Sequence, residues 1–113
     1  MKTLILAVVV TVTTSACAHL GRKSDEVPPQ LWSDHKAMPV PVGVCAERAY
    51  NVLSALGYSS VVKNGNYSYG NMDGNRAAVK CVETSGSSFV YFAVAGPQRD
   101  KVEELRNAIA RKL

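Results

Sequence analysis

The sequence predicts an α+β fold: a two-layer sandwich ordered helix, four-strand antiparallel meander, helix, with both helices on one sheet face. Three observations predict it. Apolar residues recur at helical spacing at both ends of the region 42–113, polar turn pairs divide the stretch between them, and two cysteines can bridge the layers. A chain of 113 residues has room for one small domain and no second one. The alternative is a ferredoxin-like arrangement in which Val40-Pro41-Val42 forms an edge strand.

The N-terminal segment is predicted to direct export. Lys2 precedes an apolar run from Leu4 to Val12 and small residues through Ala18, which is the order of charge, core and cleavage site in a secretory signal peptide. The run is far shorter than the roughly 20 apolar residues that cross a bilayer. We therefore expect residues 1–18 to be a signal peptide and the product to be periplasmic or secreted.

A second mode of cleavage stays open. The segment Thr14-Ser15-Ala16-Cys17 resembles a bacterial lipobox, and cleavage there would acylate Cys17 and anchor the protein on a membrane as a lipoprotein. Thr14 stands where lipoproteins usually carry Leu. We therefore favour cleavage after Ala18 and a soluble chain that begins at His19.

Residues 19–41 are predicted to be a flexible linker, because they contain four prolines and show neither helical nor strand periodicity. Leu31-Trp32 is the exception, since an isolated Trp in a polar tether can dock on its own domain or on a partner. We expect docking on its own domain.

Two helices follow from their apolar stripes. The first covers about residues 44–56 and is expected to end at Gly57 in the left-handed C-cap conformation. The second follows Gly96-Pro97, with Pro97 at its first helical position, acids early and bases late, as the helix dipole favours. The predicted buried stripes are Cys45, Ala49, Val52, Leu53 and Leu56 in the first helix, and Val102, Leu105, Ile109 and Leu113 in the second.

Four strands are predicted at about 58–63, 66–72, 75–83 and 88–95, separated by the pairs Asn64-Gly65, Asp73-Gly74 and Ser85-Gly86. Asn-Gly and Asp-Gly suit type I′ turns, because both central residues of that turn need positive φ. Two-residue loops also set the register, so that Tyr69 pairs with Ala78 and Lys80 pairs with Tyr91.

This register sorts the side chains of the sheet onto two faces. The apolar face, which should pack against the helices, carries Met72, Ala77, Val79, Cys81, Val90, Phe92 and Val94. The opposite face carries Tyr67, Tyr69, Asn71, Arg76, Ala78, Lys80, Val82, Phe89 and Tyr91. Because Cys81 points toward the helix layer that holds Cys45, we predict a Cys45–Cys81 disulfide formed in an oxidising compartment.

The groups that enzymes use are poorly represented. His19 and His35 both fall in the predicted linker, so the folded domain has no histidine for a Ser-His or Cys-His pair. The sequence contains no glycine-rich phosphate loop and no metal-ligand spacing. We predict a protein that is not an enzyme and has no catalytic residues, metal site or cofactor. The alternative is a small hydrolase or transferase that uses Glu47 or Glu83.

The face opposite the helices is the predicted binding site, through Tyr67, Tyr69, Arg76, Lys80, Phe89 and Tyr91. Four exposed aromatics beside two cations exceed the usual scatter of surface apolar groups, and such a face can stack on flat rings and attract anions. We expect an exported, non-catalytic interaction module of a bacterial envelope or secretome. The alternative is a purely structural or inhibitory domain, in which aromatic pairs only stabilise the sheet.

Export argues against nucleic acid as the partner. We expect another protein or an anionic envelope polymer, and a membrane only if Cys17 is acylated. A second copy of the chain could pack sheet to sheet, and the linker could instead fold over the aromatics and cover them.

Overall fold

The computed structural model describes residues 26–113, which form two helices and one five-strand antiparallel sheet. The predicted signal peptide and Cys17 lie outside the described residues. The sheet order is β1-β5-β4-β3-β2. In chain order the elements are β1 (Gln30–Met38), α1 (Val42–Ala55), β2 (Ser59–Asn64), β3 (Tyr67–Met72), β4 (Asn75–Thr84), β5 (Ser87–Gly96) and α2 (Arg99–Lys112).

The predicted four-strand meander is corrected to five strands. β1 falls inside the predicted linker and pairs with β5 along its whole length, from Gln30 opposite Gly96 to Met38 opposite Ser88. The ferredoxin-like alternative is also wrong about the edge strand, which is residues 30–38 rather than Val40-Pro41-Val42. β1 escaped prediction because Asp34 and Lys36 occupy helix-side positions, and so no apolar alternation is visible.

The predicted register of the β3-β4 and β4-β5 hairpins is confirmed: Tyr69 lies opposite Ala78, and Lys80 lies opposite Tyr91. The Asp73-Gly74 and Ser85-Gly86 loops have positive φ at both residues, as a type I′ turn requires. The first hairpin differs by one residue. Asn64 belongs to β2, the loop is residues 65–66, and only its glycine has positive φ, which is typical of a type II′ turn.

α1 ends as the sequence predicts, but α2 does not begin at the predicted residue. Gly57 has φ +93°, its N–H donates to Ser54 O, and the Tyr58 N–H donates to Leu53 O, which together form a Schellman motif. α2 begins at Arg99 with Gln98 as its N-cap. Pro97 therefore precedes the helix rather than opening it, because Gln98 keeps an extended backbone.

Both helices pack on one sheet face, as predicted, with α1 against β2 to β5 and α2 against β1 and β5. The core between the layers contains the predicted apolar face of the sheet and the helix stripes except Val52, which is buried outside this cluster. Cys45 of α1 and Cys81 of β4 are fully buried and form the predicted disulfide, with their Cα atoms 6.1 Å apart. The bridge ties the two layers together at the centre of this core.

Candidate binding face of the sheet

The sheet face opposite the helices is covered by no other element among residues 26–113. We call it the open face, and the pairing of the strands defines its members. It consists of Leu31, Ser33, His35, Ala37, Ser59, Val62, Asn64, Tyr67, Tyr69, Asn71, Arg76, Ala78, Lys80, Val82, Thr84, Ser87, Phe89, Tyr91, Ala93 and Ala95.

Exposed apolar side chains concentrate on the open face. Seven large hydrophobic residues among those described are exposed, and five of them are open-face residues. Tyr91 is 54% exposed and Leu31 68% exposed. The five are Leu31, Val62, Tyr67, Val82 and Tyr91. This concentration differs from the scattered single apolar residues of an ordinary surface.

One aromatic cluster lies across β1 and β5. The ring of His35 stacks on Phe89 with centroids 5.2 Å apart, and it lies 6.4 Å from the ring of Tyr91. Sequence reasoning placed His35 in the linker and so missed it as a member of the site. The available signal was the segment Gln30–Met38, whose odd positions face one way once it is treated as a strand.

A second cluster lies on β3 and β4. The rings of Tyr67 and Tyr69 are 5.4 Å apart, and the guanidinium carbon of Arg76 lies 5.6 Å from the centre of the Tyr69 ring. The Arg76 Nε also donates to Asn71 Oδ1 at 3.0 Å. Two contacts therefore orient this guanidinium on the face.

Lys80 lies between the clusters. It is opposite Tyr91 on one side and opposite Tyr67 on the other, so these three residues form one row across β5, β4 and β3. Neighbouring strands are about 4.8 Å apart, which puts the two tyrosines on backbones roughly 10 Å apart. The structure thus brings all six predicted site residues onto one face, in two clusters joined by a cation.

The open face contains no Asp or Glu. Its two cations, Arg76 and Lys80, take part in neither of the ion pairs found among residues 26–113. Those pairs join Glu47 to Lys63 and Lys101 to Glu104, away from this face. The open face is therefore apolar and positively charged.

Among the described residues before α1, only residues 27–29 reach over the open face, at one end of it, and β1 does not cover the aromatic clusters. β1 extends the sheet at its edge, and Trp32 turns to the helix side, where it packs against the core as predicted. The guanidinium carbons of Arg99 and Arg106 lie 5.5 Å and 5.2 Å from the centre of its ring. Leu31, its neighbour, stays exposed on the open face.

Side chains block part of the free edge of β1. Arg106 Nη1 donates to Ser33 O at 3.2 Å, and Asp34 Oδ1 accepts from the backbone N–H of His35 at 2.8 Å. The Ser33 C=O and the His35 N–H both point away from β5, toward the free edge of the sheet. Such capping discourages another strand from adding to the edge, so the face is the better candidate for contact with a partner.

A pocket of about 550 Å³ lies at one end of the open face, and Asn71, Arg76 and Ala95 belong to both. The other walls come from the segment before β1, from the β3-β4 turn and from the end of β5. They are Val27, Pro28, Pro29, Gly74, Asn75, Gly96 and Pro97. Its volume is within the range of sites that hold small molecules.

The two carboxylates considered for catalysis are not in this pocket. Glu47 bonds to Lys63 at 3.6 Å, and both Glu47 and Glu83 are exposed. Residues 26–113 contain no group of three His, Cys, Asp or Glu side chains able to hold a metal ion. Neither helix of the described region is long and apolar enough to cross a membrane.

No protein-family model, curated protein or solved structure matches this chain.

Proposed function

We propose that this protein is an exported, non-catalytic interaction module whose open face binds a negatively charged partner. One observation carries the proposal: five of the seven exposed large hydrophobic residues among those described share a single sheet face that has two cations and no acid. Apolar contact would supply the driving force for binding, and the cations would select for negative charge.

The charge distribution favours binding over simple stabilisation of the sheet. Aromatic cross-strand pairs stabilise a sheet without any ligand, but so do opposite charges placed opposite each other, by roughly 0.2–1 kcal/mol for each pair. A face that served only the fold would gain from an acid beside Arg76 or Lys80. The positions that face these residues across the strands hold Asn71, Ala95, Tyr67 and Tyr91 instead.

The same charges disfavour a second copy of this chain as the partner. Packing two open faces together would bring Arg76 and Lys80 of both copies into one apolar layer without a neutralising carboxylate. Burying unpaired charges is costly. An acidic protein surface or an anionic envelope polymer would neutralise both cations and still cover the aromatic rings.

Two features support export. The Cys45–Cys81 disulfide is typical of proteins that fold in an oxidising compartment. The N-terminal charge, apolar run and small residues have the order of a signal peptide. A periplasmic or secreted location, or a membrane anchor at Cys17, follows from how that segment is processed.

The test removes aromatic area from both clusters at once. Protein carrying Tyr69→Ala and Tyr91→Ala is immobilised and incubated with the envelope fraction of its host, and bound partners are quantified beside those of the unchanged protein. Tyr50→Ala is the matched control, because Tyr50 lies on α1 and outside the open face. We expect the double variant to lose capture and the control to keep it.

Capture by the open face should also weaken as salt rises, because Arg76 and Lys80 are exposed and screened. A double variant that folds and captures as much partner as the unchanged protein would refute the proposal. So would a protein that sediments as a dimer in its unchanged form and as a monomer when Tyr69 and Tyr91 are replaced, since the second copy would then occupy the face.

A further inference from the structure

We infer that the pocket at the end of the open face binds a carboxylate carried on a small apolar group, with Arg76 as the residue that recognises it. The pocket opens onto the open face, so its role in partner recognition rests on the proposed function. The carboxylate and its apolar substituent would be the group of the partner that enters the pocket.

Arg76 is held ready for a planar anion. Its Nε is occupied by Asn71 Oδ1 at 3.0 Å, and its guanidinium lies against the Tyr69 ring. Its two terminal nitrogens, Nη1 and Nη2, have no hydrogen-bond or ion-pair partner within residues 26–113. A guanidinium fixed in this way offers two parallel N–H donors, the geometry that matches the two oxygens of a carboxylate.

The walls of the pocket suit an apolar group beside that carboxylate. Pro28, Pro29 and Pro97 line it, and proline rings are apolar and fixed in φ. Val27 and Ala95 add further apolar surface. A site of about 550 Å³ with mostly apolar walls and one oriented polar group is typical of small-ligand recognition.

The charge of the site selects a carboxylate rather than a phosphate. Among the described residues that line the pocket, Arg76 is the one cation. Lys80 lies four residues further along β4, roughly 13 Å away at 3.3 Å per residue, which is too far to share the same anion. One guanidinium neutralises the single charge of a carboxylate but leaves a phosphate dianion undercompensated.

The pocket can be tested with small probes. Backbone amide shifts of the isotope-labelled protein are followed by NMR during titration with N-acetylalanine, with N-acetylalanine amide and with inorganic phosphate. We expect saturable shifts at Gly74, Ala95 and Gly96 with the acid and none with the uncharged amide. Equal shifts with acid and amide, stronger binding of phosphate, or no shift with any probe would overturn the assignment.

Variants of Arg76 distinguish the paired N–H donors of its guanidinium from its positive charge alone. Arg76→Gln and Arg76→Lys should each weaken binding of N-acetylalanine at least ~10-fold, the factor that about 1.4 kcal/mol represents. Arg48→Gln, the matched control, removes an exposed cation on α1 outside the open face and should bind within a factor of about two. If Arg76→Lys is folded, as shown by its melting curve, and binds as tightly as the unchanged protein, then the paired N–H donors of the guanidinium do not recognise the carboxylate. Failure of the probes leaves partner capture through Tyr69 and Tyr91 to be judged separately.

Discussion

Replacing Gly96 by Ala should be strongly destabilising, because this glycine is packed against a buried side chain. A Cβ at Gly96 would overlap Asn75 Oδ1 and would lie 2.8 Å from Asn75 Cγ and 3.1 Å from Val102 Cγ2. Asn75 cannot move aside freely, since its Nδ2 donates to Met72 O at 2.9 Å and to Asp73 O at 3.1 Å. The added methyl group must displace the amide from these hydrogen bonds.

The cost follows from three contributions to the free energy of unfolding. Overpacking costs about 1–3 kcal/mol, and each lost hydrogen bond of Asn75 costs about 1 kcal/mol. Alanine recovers roughly 0.5–1 kcal/mol relative to glycine within a strand. The net expectation is a loss of about 2–4 kcal/mol, which lowers the melting temperature of a domain this small by roughly 10–25 °C.

Thermal and urea unfolding of Gly96→Ala, Asn75→Ala and the double variant would measure this. Asn75→Ala loses two hydrogen bonds, but it also removes a buried Oδ1 that has no hydrogen-bond partner in the described part of the chain, so we expect a cost of about 1 kcal/mol or less. In the double variant the methyl group occupies the vacated space. The two changes should therefore couple favourably by about 2 kcal/mol.

Gly43→Ala is the matched control, because Gly43 lies in α1 and a Cβ there meets no atom of residues 26–113 within 4 Å. It should stabilise the protein by about 0.5–1 kcal/mol. The reasoning fails if Gly96→Ala unfolds within about 0.5 kcal/mol of the unchanged protein, a difference too small for overpacking. It also fails if Asn75→Ala does not rescue it.

Two further predictions concern the core. Replacing Cys45 and Cys81 together by Ala should cost about 4 kcal/mol in the chain-entropy model for a separation of 36 residues; a loss below about 1 kcal/mol in urea unfolding would contradict this. Tyr58→Phe should stabilise the protein by about 1 kcal/mol, because the Tyr58 hydroxyl is buried without a hydrogen-bond partner among residues 26–113. Burial also raises the pKa of Tyr58 from 10.0 to about 12, so the unfolded chain loses this proton first and stability falls between pH 10 and about 12, by up to about 1.4 kcal/mol per pH unit. Tyr58→Phe should not show this fall in the free energy of unfolding with pH. If the unchanged protein and the variant have equal slopes, the Tyr58 hydroxyl is not buried.

Most of the candidate site could be predicted because its residues lie on adjacent hairpins. A two-residue loop determines which residues pair, and the alternation of side chains then determines which share a face. Tyr67, Tyr69, Arg76 and Lys80 follow from the Asp73-Gly74 turn alone. Phe89 and Tyr91 follow from the next turn.

β1 and His35 could not be found in this way. The partner of β1 is β5, whose paired residues lie 50 to 66 positions further along the chain, and no short turn links the two strands. The side of β1 that faces the helices includes the charged residues Asp34 and Lys36. The Lys36 Nζ donates a hydrogen bond to Ala110 O of α2. A polar strand that pairs at long range has no local pattern to mark it.

The sequence by itself determined the α+β class, the registers of the β3-β4 and β4-β5 hairpins, the disulfide and the six aromatic and basic residues that share a face. These features depend on turn chemistry and on apolar periodicity, which act between residues close together in the chain. Only the tertiary structure decided that residues 30–38 extend the sheet and that Trp32 turns to the helix side. It alone also decided that Val27, Arg76 and Pro97 enclose one pocket. Those features depend on contacts between distant segments, whose pairing is chosen by the packing of the whole domain rather than by any local residue pattern.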